Sequence, residues 1–150
     1  MLMKDGIGTL LADVPRLMRR EFDARARQIG VTRVQWQVLS MLSQHEGIHQ
    51  VGLAERLDVE PITLCRMVDR LQEADLVERR ANPADRRAWC LYLTERARQL
   101  LDELRPLALS LMDEALMGLS APEKEQLHGL LERVRTNLSR RTAQELALHG

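Results

Sequence analysis

Residues His45, Glu46 and His49 spell H-E-x-x-H, followed by Gly52 and Glu55. Histidines one helical turn apart can hold a zinc ion, and the glutamate between them can polarise a bound water. A further ligand beyond a glycine turn would complete the extended pattern of that hydrolase site. The chemistry requires both histidines on one continuous helix. Gly47 lies between them and marks a break, so His45, Glu46 and Gly47 read as a turn after one helix, and Ile48, His49 and Gln50 as the lead into the next. No catalytic or metal-binding residue is assigned, no cofactor is expected, and the chain reads as something other than an enzyme. His128 and His149 stand apart, without partners in the sequence.

The 150 residues are 45% hydrophobic but only 3% aromatic, which predicts an aliphatic, largely helical core. Cys65 and Cys90 are too few and too isolated for a disulfide framework or a thiolate zinc site, and read as small buried or half-buried residues. No apolar run approaches the length of a membrane span. Acids and arginines interrupt the first twenty residues where a signal peptide would be uniformly apolar, so the expected location is the cytoplasm. The formal net charge is zero, yet residues 79–98 hold six arginines against two acids, whereas residues 99–150 hold eight acids against six bases. The average hides a basic segment.

Periodicity places the elements that must position that segment. Leu10, Val14, Leu17, Met18 and Phe22 recur at helical spacing over about 7–28, ending near Gly30. Thr32 and Gln35 stand in the capping-box relation before a second helix with Val34, Val38 and Leu42 on one stripe. A short helix follows at "LAERLDV". A longer one starts at Pro61, where a missing N–H does no harm. Two short strands, Val77 to Ala81 and Ala88 to Leu93, flank a turn with Asn82 and Pro83. Thr94 caps a long helix over about 95–118 containing Pro106. Ser120 and Glu123 form a second capping box before a helix with the seam Leu127, Leu130, Leu131, Val134 and Leu138.

The fold class is therefore mainly α with a small β-hairpin: a winged helix-turn-helix over 31–94, flanked by long helices at 1–30 and 95–150. Those outer helices carry more apolar stripe than so small a module can cover, which predicts that they form a dimerisation region. On a wheel at about 100° per residue, Leu64, Met67, Val68 and Leu71 fall on one side of the Pro61 helix. Thr63, Arg66, Arg70 and Glu73 fall on the other, with Ile62 near its start, so this face is free to enter a DNA groove. In "RRANPADRRAW", arginines on both sides of a turn concentrate like charge that solvent or an anion must take up. An arginine on such a projection suits a narrow minor groove.

The stretch "LAERLDVEPITLCRMVDRLQEADLVERRANPADRRAWCLYLTERARQLL" resembles the core of the MarR family of transcriptional regulators, and within it the SlyA type, with Trp36, Asp85-Arg86-Arg87 and "LTERA" as the most specific marks. The resemblance implies a homodimer whose recognition helices, with Pro61, Ile62, Thr63, Arg66 and Arg70, enter the major groove of double-stranded DNA. It also implies a wing in which Arg86 reaches the minor groove, Asp85 supports that arginine and Arg87 or neighbouring groups hold the backbone, with His49 and Gln50 near phosphate. His49, Gly52 and Asp75 depart from the usual residues of the family at their positions. The function expected is a ligand-responsive repressor or activator that binds a near-palindromic operator, with a small aromatic or phenolic anion as effector, although the sequence carries no pocket signature. The alternative is a winged-helix module for protein–protein assembly, its arginines meeting acidic partners.

Overall fold

A computed structural model describes residues 6–148, leaving His149 and the outermost parts of the two terminal helical regions outside the described residues. In chain order the elements are α1 (Ile7–Gln28), α2 (Arg33–Gln44), α3 (Gln50–Arg56), α4 (Pro61–Glu73), β1 (Val77–Asn82), β2 (Asp85–Leu93), α5 (Glu95–Ala115) and α6 (Ala121–Leu148). The chain forms two compact units, one ending at Leu111 and the other starting at Met112.

In the first unit, α2, α3 and α4 bury Val38, Leu39, Leu42, Leu53, Leu64, Val68 and Leu71 against Leu91 and Leu93 of the hairpin. The stripe expected on α2 is turned slightly. Val34 is exposed and Leu39 is fully buried, because the hairpin and α3 crowd the helix on the side where Val38 and Leu42 meet Leu39. A second cluster joins Phe22 and Ala26 of α1 to Val31, Leu104 and Leu111, with Trp36 packed edge-on against Phe22. Asp23 is buried there. It accepts hydrogen bonds from the Arg33 guanidinium and from Trp36 Nε1, the latter at 2.6 Å. Burial alone would raise its pKa, but those bonds and the charges of Arg33 and Arg27 outweigh burial and hold the carboxyl below its ordinary range.

Caps fix where the helices begin and end. Thr32 and Gln35 satisfy each other's backbone N–H groups at the start of α2, as the sequence predicts. Pro61 opens α4, and Asp75 closes it in the left-handed region at φ +59°. The Asp75 N–H donates to the Gln72 carbonyl and the Leu76 N–H to the Leu71 carbonyl, the ending that usually selects glycine. Replacing Asp75 by Gly is therefore expected to stabilise the fold by roughly 0.5–1 kcal/mol, relief of left-handed strain exceeding the entropy cost of glycine. A rise in the denaturant midpoint at unchanged slope would record it.

The hairpin is antiparallel, with Val77 opposite Leu93, Arg79 opposite Leu91 and Ala81 opposite Trp89. Its second strand starts at Asp85, three residues earlier than the apolar alternation indicates. The turn narrows to Pro83 and Ala84 because the Asn82 side chain accepts the Ala84 N–H at 3.0 Å, so the polar Asp-Arg-Arg segment is drawn into strand pairing. Thr94 joins hairpin to α5: its hydroxyl donates to the Asp75 carbonyl at 2.7 Å and accepts the Ala97 N–H at 3.1 Å.

In the second unit, Ser120 and Glu123 make the reciprocal cap of α6 that their spacing predicts. Its seam of Leu127, Leu130, Leu131 and Val134 is exposed, Leu130 at 49%. His128 lies 3.8 Å from Glu132 on the same helix.

Candidate nucleic-acid interface

The α4 helix buries Leu64, Val68 and Leu71, which leaves Pro61, Ile62, Thr63, Arg66 and Arg70 on the surface. Ile62 is 62% exposed, an apolar side chain held in water at the start of the helix. Among the described residues, neither Arg66 nor Arg70 has an acceptor for its guanidinium. Arg86 and Arg87 are likewise exposed, at the start of β2, and likewise without one. Asp85 meets the backbone rather than a guanidinium: its Oδ1 accepts the Arg87 N–H at 3.0 Å, which fixes the strand from which both arginines project.

Three other arginines of the basic segment, Arg79, Arg80 and Arg98, are committed to the fold. Arg79 lies across from Leu91 with its side chain only 13% exposed. It donates to Gln50 Oε1 at 3.0 Å, to Gln72 Oε1 at 2.8 Å and to the Cys65 carbonyl at 3.1 Å, and pairs with Asp69 at 2.7 Å. One side chain thus ties α3, α4 and the wing together. Arg80 pairs with Glu78 and stacks 4.0 Å over the Tyr92 ring. Gln50 therefore has its carbonyl oxygen occupied by Arg79. His49 is the N-cap residue of α3 without a side-chain cap bond, and its Nδ1 lies 3.7 Å from Cys90 Sγ. Both cysteines are free and half-buried.

The H-E-x-x-H residues are spread over a turn. His45 closes α2, Gly47 takes φ +86° and His49 precedes α3, so the histidines do not share a helical face. Glu46 has a structural task that motif reading missed. It accepts two bonds from Arg98, at 2.7 and 3.1 Å, and the Leu93 N–H at 3.1 Å, joining the α2–α3 turn to the end of β2 and the start of α5. The bonds from Arg98 lead in holding its pKa below the ordinary 4.5, against an opposing effect of burial. A depressed carboxylate pKa gives stability that is present above the unfolded value and is lost as pH falls through the folded one. Replacing Glu46 by Gln should thus lower stability at neutral pH, with the deficit shrinking below about pH 4.5, in denaturation series run across that range.

Comparison with known proteins agrees with this geometry. The MarR family model matches residues 31–89, which span α2 to the wing. The solved transcriptional regulator PA3341 is 34% identical, with 90% of this chain and 99% of that one aligned at a TM-score of 0.79. A mutant MarR from E. coli, complexed with operator DNA, is 29% identical over 85% of this chain and 92% of its own, with a TM-score of 0.73. The transcriptional regulator SlyA is 25% identical over 91% of this chain and 96% of its own, at 0.78. With the winged helix, its unpaired surface arginines and these relatives in agreement, the chain belongs to the MarR family of transcriptional regulators.

Proposed function

We propose that the protein is a dimeric, sequence-specific repressor that reads a near-palindromic operator. The observation that carries this reading is the division of labour among the arginines. Arg79, Arg80 and Arg98 are spent on the fold, while Arg66 and Arg70 on α4, and Arg86 and Arg87 on the wing, present guanidinium groups with no acceptor among the described residues. Arginine donates bidentately to guanine edges in the major groove and is drawn to the negative potential of a narrow minor groove. Thr63 and Ile62 add a hydroxyl for phosphate or base and an apolar surface for a thymine methyl. Asp85 sets the strand that aims Arg86, Arg87 meets the backbone, and His49 with the amide nitrogen of Gln50 faces phosphate.

The second copy follows from exposed apolar surface. Leu10, Val14 and Leu17 on α1, and Leu127, Leu130, Leu131 and Val134 on α6, are all exposed in the single chain. Residues 1–30 and 95–150 serve as the dimerisation region and 31–94 as the DNA-binding domain. Twofold symmetry then imposes a symmetric site, with half-sites about 34 Å apart. The E. coli relative bound to operator DNA supports the same use of the fold.

A cleft of about 340 Å³ in the first unit, lined by Val31, Leu76 and Leu100 together with Gln35, Arg96, Gln99 and the carboxylate of Glu103, is the candidate place for a small aromatic or phenolic anion. Its apolar walls take the ring and Arg96 the charge, and occupancy shifts the population toward a form that fits DNA poorly. Such a regulator works in the cytoplasm, and no helix among the described residues is long and apolar enough to cross a membrane.

Selection from random duplexes with the purified protein tests the reading. Enrichment of a symmetric motif is expected, and failure to enrich any would favour an assembly role for the winged helix. Replacing Arg66 by Ala should then cost about 1–3 kcal/mol and relax the preference at one position of the selected motif. Weaker binding with an unchanged preference would move Arg66 to a phosphate-positioning role.

A further inference from the structure

Trp89 belongs to neither packed cluster and is 45% exposed, an unusual setting for the largest side chain in the wing. Its direction follows from the register. Cross-strand partners share a face, and so do residues two apart along a strand. Trp89 faces Ala81, and both lie one step outward from the pair Leu91 and Arg79. Leu91 is buried in the core, and the Arg79 side chain reaches Cys65, Asp69 and Gln72 of α4. The indole therefore stands on the recognition-helix side of the wing, just beyond the end of the core. The antiparallel bridge between His49 and Cys90 brings Gln50 alongside Trp89 on the other edge of the strand. Trp89 is thus placed between Gln50 and the arginines of the wing tip, and among the described residues its Nε1–H has no acceptor.

Resting on the DNA-binding reading above, we infer that Trp89 is a phosphate-contact residue, its indole N–H donating to the duplex backbone between the grooves taken by α4 and by Arg86. Charge complementarity selects this occupant: Arg86 and Arg87 precede Trp89 on the same strand, Arg66 and Arg70 are exposed on the helix that this face of the wing packs against, and a polyanion meeting these unpaired cations would cover the indole. The contact carries a distinctive signature. It is a donor without charge, so it supports affinity for every sequence but releases no counterion of its own.

Anisotropy titrations of a labelled selected duplex and an unrelated duplex, over a range of salt, test this with wild type, W89F and R86A. W89F keeps an aromatic ring and loses the N–H. It should weaken binding to both duplexes by roughly tenfold and leave the salt slope unchanged, whereas R86A lowers the slope. Subtracting W89F emission from that of wild type isolates Trp89 without touching Trp36, and DNA should shield that signal from acrylamide. Unchanged W89F affinity with wild-type binding intact, or a Trp89 signal equally quenchable with and without DNA, overturns the contact and leaves the regulator reading standing. Absence of wild-type binding to any duplex overturns both.

Discussion

Alanine in place of Arg86 is expected to weaken binding to the operator and to unrelated duplexes alike, and to lower the slope of log affinity against log salt by about one unit per protomer. Because a symmetric dimer carries two wings, the full effect on an operator is about two units of slope and at least about a hundredfold in affinity at moderate salt. Arg86 is exposed at the start of β2, and its guanidinium has no acceptor among the described residues, so its removal breaks no internal bond. The folded state should keep its thermal midpoint. The loss falls on complexes with any sequence because the minor groove offers little base information, so the arginine responds mainly to potential and width. Fluorescence anisotropy from low to moderate salt measures both quantities. An affinity drop restricted to the operator would reassign Arg86 to base readout.

The second large effect runs the other way, through the fold. Arg79→Ala removes a guanidinium that satisfies Gln50, Gln72, the Cys65 carbonyl and Asp69 together. Leaving those acceptors without a donor should cost about 2–3 kcal/mol, less than for a fully buried pair because Asp69 is itself more than half exposed to water. Arg79→Lys should recover little of it, since an ammonium cannot present the planar fork that spans three elements. The readout that separates Arg79 from Arg86 is salt. Protein carrying Arg79→Ala should melt earlier and bind DNA more weakly at equal folded fraction, with its salt slope unchanged, because the wing and α4 lose their fixed spacing while the DNA-facing cations remain.

These two arginines show where sequence was informative and where it was not. The exposed set on α4 was legible because a helix repeats its faces every 3.6 residues, so Leu64, Val68 and Leu71 inside force Arg66 and Arg70 outside. The caps at Thr32, Pro61 and Ser120 were legible because they are local, satisfied within three or four residues. The charge run of the wing was not. By charge and spacing Arg79 and Arg86 look alike; the family resemblance singles out Arg86, but the structural task of Arg79 shows only in acceptors that the fold brings in from Gln50, Cys65 and Asp69. Glu46 was hidden for the same reason, its partners Leu93 and Arg98 lying some fifty residues away. The parity of Trp89 is legible in the alternation of Trp89, Leu91 and Leu93 against Cys90 and Tyr92, but only the register shows which face of the wing looks at α4.

The hydroxyl of Thr94 gives α4 a hinge. It holds the Asp75 carbonyl, just past the end of α4, and the first turn of α5 in one grip, while Ala74, Leu76, Arg96 and Leu100 around it line the cleft. The 13 residues of α4 make a rod about 20 Å long, held at this end by Thr94 and exposed at Ile62 at the other, with Leu64, Val68 and Leu71 packed into the core between them. A wedge in the cleft that tilts the rod by about 5° would swing its far tip by about 1.7 Å, more than half the length of a hydrogen bond. On the DNA-binding reading proposed above, a displacement of that size, which Leu64 in the core would have to follow, is enough to take Ile62 and Thr63 out of register with the base edges.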